Sequence, residues 1–208
     1  MGVDMTITSQ AVTRLQSGMF YVAIPLLLLA MQYYPERAVL KEFLSGLTIV
    51  AFCLASGQFF WTQGNRYLAR SEKGKKFGIL HNSIGYMCIV ILLLHPFVIV
   101  FPRYYEHGLD PGGAFVIMVT TLTSTGVVLG LISWLLLLTL GLTTFFRKNF
   151  LIRYVTWQRL HGILALSFLI TASWHAIDLG RHTGIGMSML LVLFGCCGMI
   201  IFFNRTRS

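Results

Sequence analysis

Long apolar runs alternate with short polar ones along the whole chain. A bilayer core about 30 Å thick is crossed by roughly 20 apolar residues of helix. Six runs fit that length approximately: 17–34, 43–62, 77–101, 124–146, 157–178 and 185–203. The breaks between them carry turn and interface chemistry. "YYPER" ends the first, "TQGNRYLARSEKGKK" the second, "FPRYYEHGLDPGG" the third, "RKNFLIRY" the fourth and "DLGRHTG" the fifth. This pattern predicts an all-α integral membrane protein, a bundle of six transmembrane helices forming one domain over residues 1–208. The stretch 114–123, "AFVIMVTTLT", either lengthens the fourth helix or lies in the membrane interface.

Composition agrees with the pattern. The chain is 56% hydrophobic and 11% charged, against about a quarter charged in soluble domains. Its net charge is +9. A basic balance is one mark of nucleic-acid binding, but here the bases sit in short clusters between apolar runs, so no nucleic-acid partner is expected and membrane lipid is. Cys53, Cys88, Cys196 and Cys197 all lie inside apolar runs without Cys-x-x-Cys spacing. They read as small packing residues and not as a disulfide framework or zinc site. The first fifteen residues are polar, and "YVAIPLLLLA" continues into "MQYYP" without a small-residue cleavage site, so this run reads as a first span and not as a signal peptide.

Lysine and arginine set an expected orientation. The N-terminus, the second and fourth loops and the C-terminus together hold twelve of these bases; the opposite side holds four, Arg37, Lys41, Arg103 and Arg181. The acids lean the other way, with Asp4 and Glu72 against Glu36, Glu42, Glu106, Asp110 and Asp178. Both termini are therefore expected in the cytoplasm, in a multi-pass protein of the bacterial inner membrane type.

Four histidines fall inside the spans. His81 and His95 are fourteen residues apart in "ILHNSIGYMCIVILLLHPF", and His161 and His175 are again fourteen apart in "WQRLHGILALSFLITASWH". Fourteen helical residues rise about 21 Å and turn to within about 40° of four full turns, so each pair shares one helix face. One span separates the two helices, which therefore run parallel. His81 should match the depth of His161 near the cytoplasmic side, and His95 that of His175 near the outer side. Two histidines about 21 Å apart on one helix cannot bind one six-coordinate iron, whereas histidines at equal depth on facing helices can, given room for a flat macrocycle. The spacing thus supports two stacked sites. A histidine in a span is also commonly just a polar group bonded to a neighbouring helix. A bare zinc or copper site would want further Cys, Asp or Glu ligands, and neither 79–97 nor 157–175 contains an acid.

The stretches "LHNSIGYMCIVILLLHPF" and "WQRLHGILALSFLITASWHAI" resemble the ferric reductase-like transmembrane domain. That family includes ferric reductases, NADPH oxidases and the haem-binding membrane subunit of a bacterial periplasmic methionine-sulfoxide reductase. The resemblance extends over about residues 40–203 and rests on the paired histidines. It implies two b-type haems between the third and fifth helices, with His81, His161, His95 and His175 as iron ligands. Transmembrane electron transfer follows as the expected function, with a quinol-oxidising anchor of a periplasmic reductase as an alternative. A small transporter or metal carrier using a histidine relay is the alternative from another class.

Full-length ferric reductases and NADPH oxidases carry a flavin and nicotinamide domain after the sixth helix. No G-x-G-x-x-G follows a strand in these 208 residues, and Gly184 and Gly186 belong to a turn. A separate flavoprotein or a quinol is therefore the expected electron donor, with flavin held by that partner or at the membrane interface. The expected acceptor is ferric iron, oxygen or a periplasmic reductase.

Haem carboxylates favour basic partners at the interface. Lys75, Lys76, Arg153 and Arg159 are candidates on the cytoplasmic side, and Arg103 and Arg181 on the outer side, although each also fits an ordinary interfacial anchor. His107 and His182 read chiefly as solvated loop residues, with a metal acceptor as the sharper alternative. Gly78, Gly85 and Gly162 near the histidines permit close approach of a helix, slightly favoured, or of a macrocycle. Trp157, Trp174 and Tyr86 are candidates to pack on a porphyrin or to belong to the aromatic belt. Pro96 removes a backbone donor beside His95 and is expected to kink the span.

Overall fold

The computed structural model describes residues 19–31, 39–61, 72–100, 110–120, 124–180 and 182–207. Among these the chain is helical and without strands. A π-helical turn, Met19–Ala23, leads into α1 (Ile24–Ala30). There follow α2 (Val39–Trp61), α3 (Glu72–Val100), α4 (Pro111–Thr120), α5 (Thr125–Phe145), α6 (Tyr154–Leu179) and α7 (Ile185–Arg207). Five of these, α2, α3, α5, α6 and α7, are long and apolar enough to cross a membrane, and Tyr21–Ala30 forms a shorter apolar helix. The protein is an integral, multi-pass helical bundle. The first expected span, 17–34, is described only over 19–31.

Helix ends run past the apolar limits. α2 begins four residues before the expected 43, α3 takes in the polar "EKGKK", and α7 continues through "NRTR". The helix is set by the backbone hydrogen-bond ladder, which continues past the apolar residues. Residues 111–120 form a helix of their own. Asp110 Oδ1 accepts from Gly113 N at its start, and Ser124 caps α5 separately by accepting from Val127 N at 3.2 Å. The described part of that stretch, 114–120, therefore belongs to α4 and not to α5, while 121–123 lie outside the described residues.

The core follows helical periodicity. α7 buries Met187, Leu190, Leu191 and Phe194, and α6 buries Leu166, Phe168, Leu169, Ala172 and Ser173. α2 contributes Ala51, Phe52 and Cys53, and the opposite faces of these helices leave many large apolar side chains exposed, as lipid-facing surfaces require. Cys53 and Cys88 are buried, and all four cysteines are free thiols.

The closest packing joins α5 to α6 and α2 to α3, and α7 lies against both α6 and α2. α3 also touches α5, whereas α3 and α6 are not among the closely packed pairs of described helices. Those are the two helices that carry the paired histidines.

Candidate functional site

α3 presents His81 and His95 toward α6, which presents His161 and His175. The ring centres of His81 and His161 lie 6.5 Å apart at 63°, and those of His95 and His175 lie 6.3 Å apart at 55°. The four side chains thus form two facing pairs at the two depths. Two imidazoles binding one ion from opposite sides hold their centres about 6.2 Å apart, from bonds of about 2 Å and roughly 1.1 Å from nitrogen to ring centre. Both observed separations match that span.

The outer nitrogens are left available by what the other ring nitrogens do. His175 Nδ1 donates to the Gly126 carbonyl at 2.8 Å, and His95 Nδ1 to the Leu92 carbonyl. A carbonyl only accepts, so each Nδ1 carries a proton and, in the neutral ring, each Nε2 keeps a lone pair, the arrangement found in metal-ligating histidines. Pro96 explains why Leu92 is free to accept. In an unbroken helix the amide of residue 96 would bond to that carbonyl, and proline has no N–H. Beside it, Trp134 Nε1 donates to Leu93 O at 3.0 Å and ties α5 to α3. At the other pair, Thr144 gives its hydroxyl proton to Leu140 O at 2.7 Å and so meets His161 Nδ1, at 3.4 Å, as acceptor.

α5 shapes the site through glycine. A Cβ on Gly130 would stand 2.5 Å from His175 Nδ1 and 2.6 Å from its Cε1, and one on Gly126 would strike Asp178 and Leu179. The His175 ring therefore lies directly against the α5 backbone. "GVVLG", residues 126–130, is a G-x-x-x-G motif in an apolar helix, and that pattern was the available signal for this contact.

A partly open cavity of about 90 Å³ adjoins His81 and His161. Its walls are mostly apolar, with Ala55, Phe59, Ile89, Leu137, Phe168 and Leu169 among them. Gly85 lines this space, and nothing lies within 4 Å of where its Cβ would be. Its close-approach role is thus toward the cavity, whereas Gly162 serves helix packing, with the Phe202 ring 3.0 Å from its virtual Cβ. Gly78 meets nothing within 4 Å, so it is not a packing contact. His81 Nδ1 is buried without a hydrogen-bond partner. Among the described residues no three or more His, Cys, Asp or Glu side chains converge to hold a metal ion. A two-nitrogen site beside an apolar cavity suits a macrocycle that brings its own equatorial donors, and suits bare zinc poorly.

The remaining sequence candidates divide. Trp157 stacks on His161 with centres 5.0 Å apart, and the Arg147 guanidinium lies 4.4 Å from the Trp157 ring centre and 4.5 Å from that of Tyr154. Tyr86 lines the cavity. Trp174 is 61% exposed and turned away, since it sits about 100° around the helix from His175. Arg159 is exposed near the start of α6. The side chains of Lys75 and Lys76, and residues Arg103, Arg181 and His107, lie outside the described residues.

His182 corrects its expectation. It is not a solvated loop residue but 5% exposed, with Nε2 3.0 Å from Glu42 Oε2. α6 ends at Leu179, and Thr183 bonds back to Ala176 O at 2.7 Å. That folds the turn inward and brings His182 to the start of α2.

Comparison with known proteins adds the following. A family model described as ferric reductase like transmembrane component matches residues 47–172. That range contains His81, His95 and His161 and ends three residues before His175. An uncharacterized protein of Archaeoglobus fulgidus is 33% identical over 141 residues, covering 68% of this chain and 76% of that protein. No solved structure matches the chain.

Proposed function

The chain belongs to the ferric reductase-like transmembrane family, and we propose that its two histidine pairs hold two b-type haems that carry electrons across the bilayer. The observation that carries this reading is the pair of ring separations, 6.5 and 6.3 Å, at two depths of the same two helices. Haem iron supplies reversible one-electron chemistry that no protein side chain here offers. His81 and His161 present nitrogens to one iron, and His95 and His175 to the other. Leu92 O, Gly126 O and Thr144 fix the orientation of three of these rings. The walls around the His81–His161 site are mostly apolar.

The charge distribution supports a direction. With twelve bases on the side of the second and fourth loops, that side is cytoplasmic by the positive-inside rule. Electrons then enter at His81 and His161 from a flavoprotein or a quinol, and leave at His95 and His175 to an external acceptor or a periplasmic reductase. The Arg147–Trp157–His161 stack reaches from the entry surface to the first ligand.

Haem determination against protein concentration tests the reading. Purified protein is expected to show the sharp visible bands of reduced b haem and two haems per chain. A saturated value of one would remove one site, and an absence of haem bands would remove the reading altogether. For orientation, a cytoplasm-dependent reporter fused after Arg207 is expected to be active and a periplasm-dependent one silent. The reverse result would invert the proposed electron path.

A further inference from the structure

Gln58 is left without a role by everything above. It lies on α2, which carries neither histidine pair, and it lines the same cavity as His81 and His161. Its Nε2 and its Oε1 are both buried, and neither has a hydrogen-bond partner among the described residues. Two residues away, Ser56 shows how α2 ordinarily satisfies a buried polar group, since its hydroxyl donates to Phe52 O at 2.8 Å. A buried amide that makes no such bond loses its hydration with nothing in return, which native proteins rarely tolerate without a ligand or an ordered water.

The chemistry of the missing partner can be narrowed. The neighbouring walls are largely aliphatic and aromatic, and the polar side chains among them, His81, Asn82 and Tyr86 included, make no hydrogen bond to the amide. A b-type haem is apolar apart from its two carboxylate side chains, and a carboxylate is acceptor-only. An amide N–H donating to it makes a charge-assisted bond. Resting on the haem reading above, we propose that Gln58 is a positioning residue of the His81–His161 site, whose side-chain amide donates to a haem carboxylate and so sets which edge of the macrocycle turns toward α2. Gln58 acts from within the bundle and not from the membrane interface.

The test uses the full chain as purified with its haem, as Gln58→Leu and, closer in shape, Gln58→Met. Infrared redox-difference spectra are recorded with haem carrying ¹³C in its carboxylates, and haem release is timed against excess apomyoglobin. Both variants are expected to shift the labelled carboxylate band of one haem and leave the other unchanged. One haem of the two should leave about tenfold faster or more, in line with loss of a hydrogen bond to a charged group. A labelled band and a release rate that stay at wild-type values in either stably inserted variant overturn the proposal and leave the amide to an ordered water. A wild-type chain that binds no haem overturns both this proposal and the function beneath it. Haem in the wild type with an unmoved carboxylate band overturns this proposal alone.

Discussion

His81→Ala and His161→Ala are expected to lose the same haem and give matching spectra, while His95→Ala and His175→Ala lose the other. The expectation follows from the pairing of ring centres at 6.5 and 6.3 Å. An iron held by two axial nitrogens loses six-coordination whichever of them is cut. The second site should survive each change, since fourteen residues of helix put it about 21 Å away. Transmembrane electron transfer, measured as reduction of an acceptor enclosed in proteoliposomes, should fall more than about a hundredfold in all four variants. Changes that merely disturb the partners of a metal ligand already cost about 10–100-fold. Added imidazole should restore part of the lost spectrum, because truncation leaves room for it, and such rescue separates a lost ligand from a misfolded chain. Matching spectra for His81→Ala and His175→Ala would contradict the facing of α3 and α6.

Much of this arrangement could be read from spacing. Fourteen residues return to nearly the same helix face, so His81 and His95 had to share a side, as did His161 and His175. One intervening span made α3 and α6 parallel, and equal depth then followed. The spans were legible because lipid demands an unbroken apolar surface. What spacing could not supply was the third dimension. Gly78 and Gly85 look like packing glycines because they neighbour His81, yet no atom stands within 4 Å of either virtual Cβ. The glycines that meet the His175 end of α6 lie on α5, remote in sequence from His175. His182 sits between Gly180 and Gly184 and looked like a loop residue, but it is buried beside Glu42. Pro96 was visible as a break in the hydrogen-bond ladder. That the freed carbonyl of Leu92 is taken by the neighbouring His95 ring depends on a side-chain direction that spacing does not encode.

Gly130→Ala is expected to weaken the His95–His175 site by about 10–100-fold, the range seen when the surroundings of a metal ligand are disturbed. α5 and α6 run antiparallel, and Gly130 and Thr144 on α5 are fourteen residues apart, as are His175 and His161 on α6. The same face of α5 therefore meets both rings, with glycine against His175 and threonine against His161. At His161 the contact is a long 3.4 Å bond to a side chain that can turn. At His175 the ring abuts backbone, and an added Cβ would stand 2.5 Å from Nδ1. The ring would have to swing, or α5 to move away. Either motion strains the bond from Nδ1 to Gly126 O, now 2.8 Å, that holds the proton on Nδ1 and leaves Nε2 free. Thr144→Val should therefore cost the His81–His161 site much less than Gly130→Ala costs its counterpart. Gly195→Ala supplies the control, because nothing lies within 4 Å of its virtual Cβ and helix propensity alone favours alanine by roughly 0.5–1 kcal/mol. Haem content and the spectrum of each site, measured on all three variants, decide the matter. Wild-type affinity at both sites in Gly130→Ala would mean that α5 can yield without disturbing His175, and the close α5–α6 contact would then be a matter of packing and not of ligand placement.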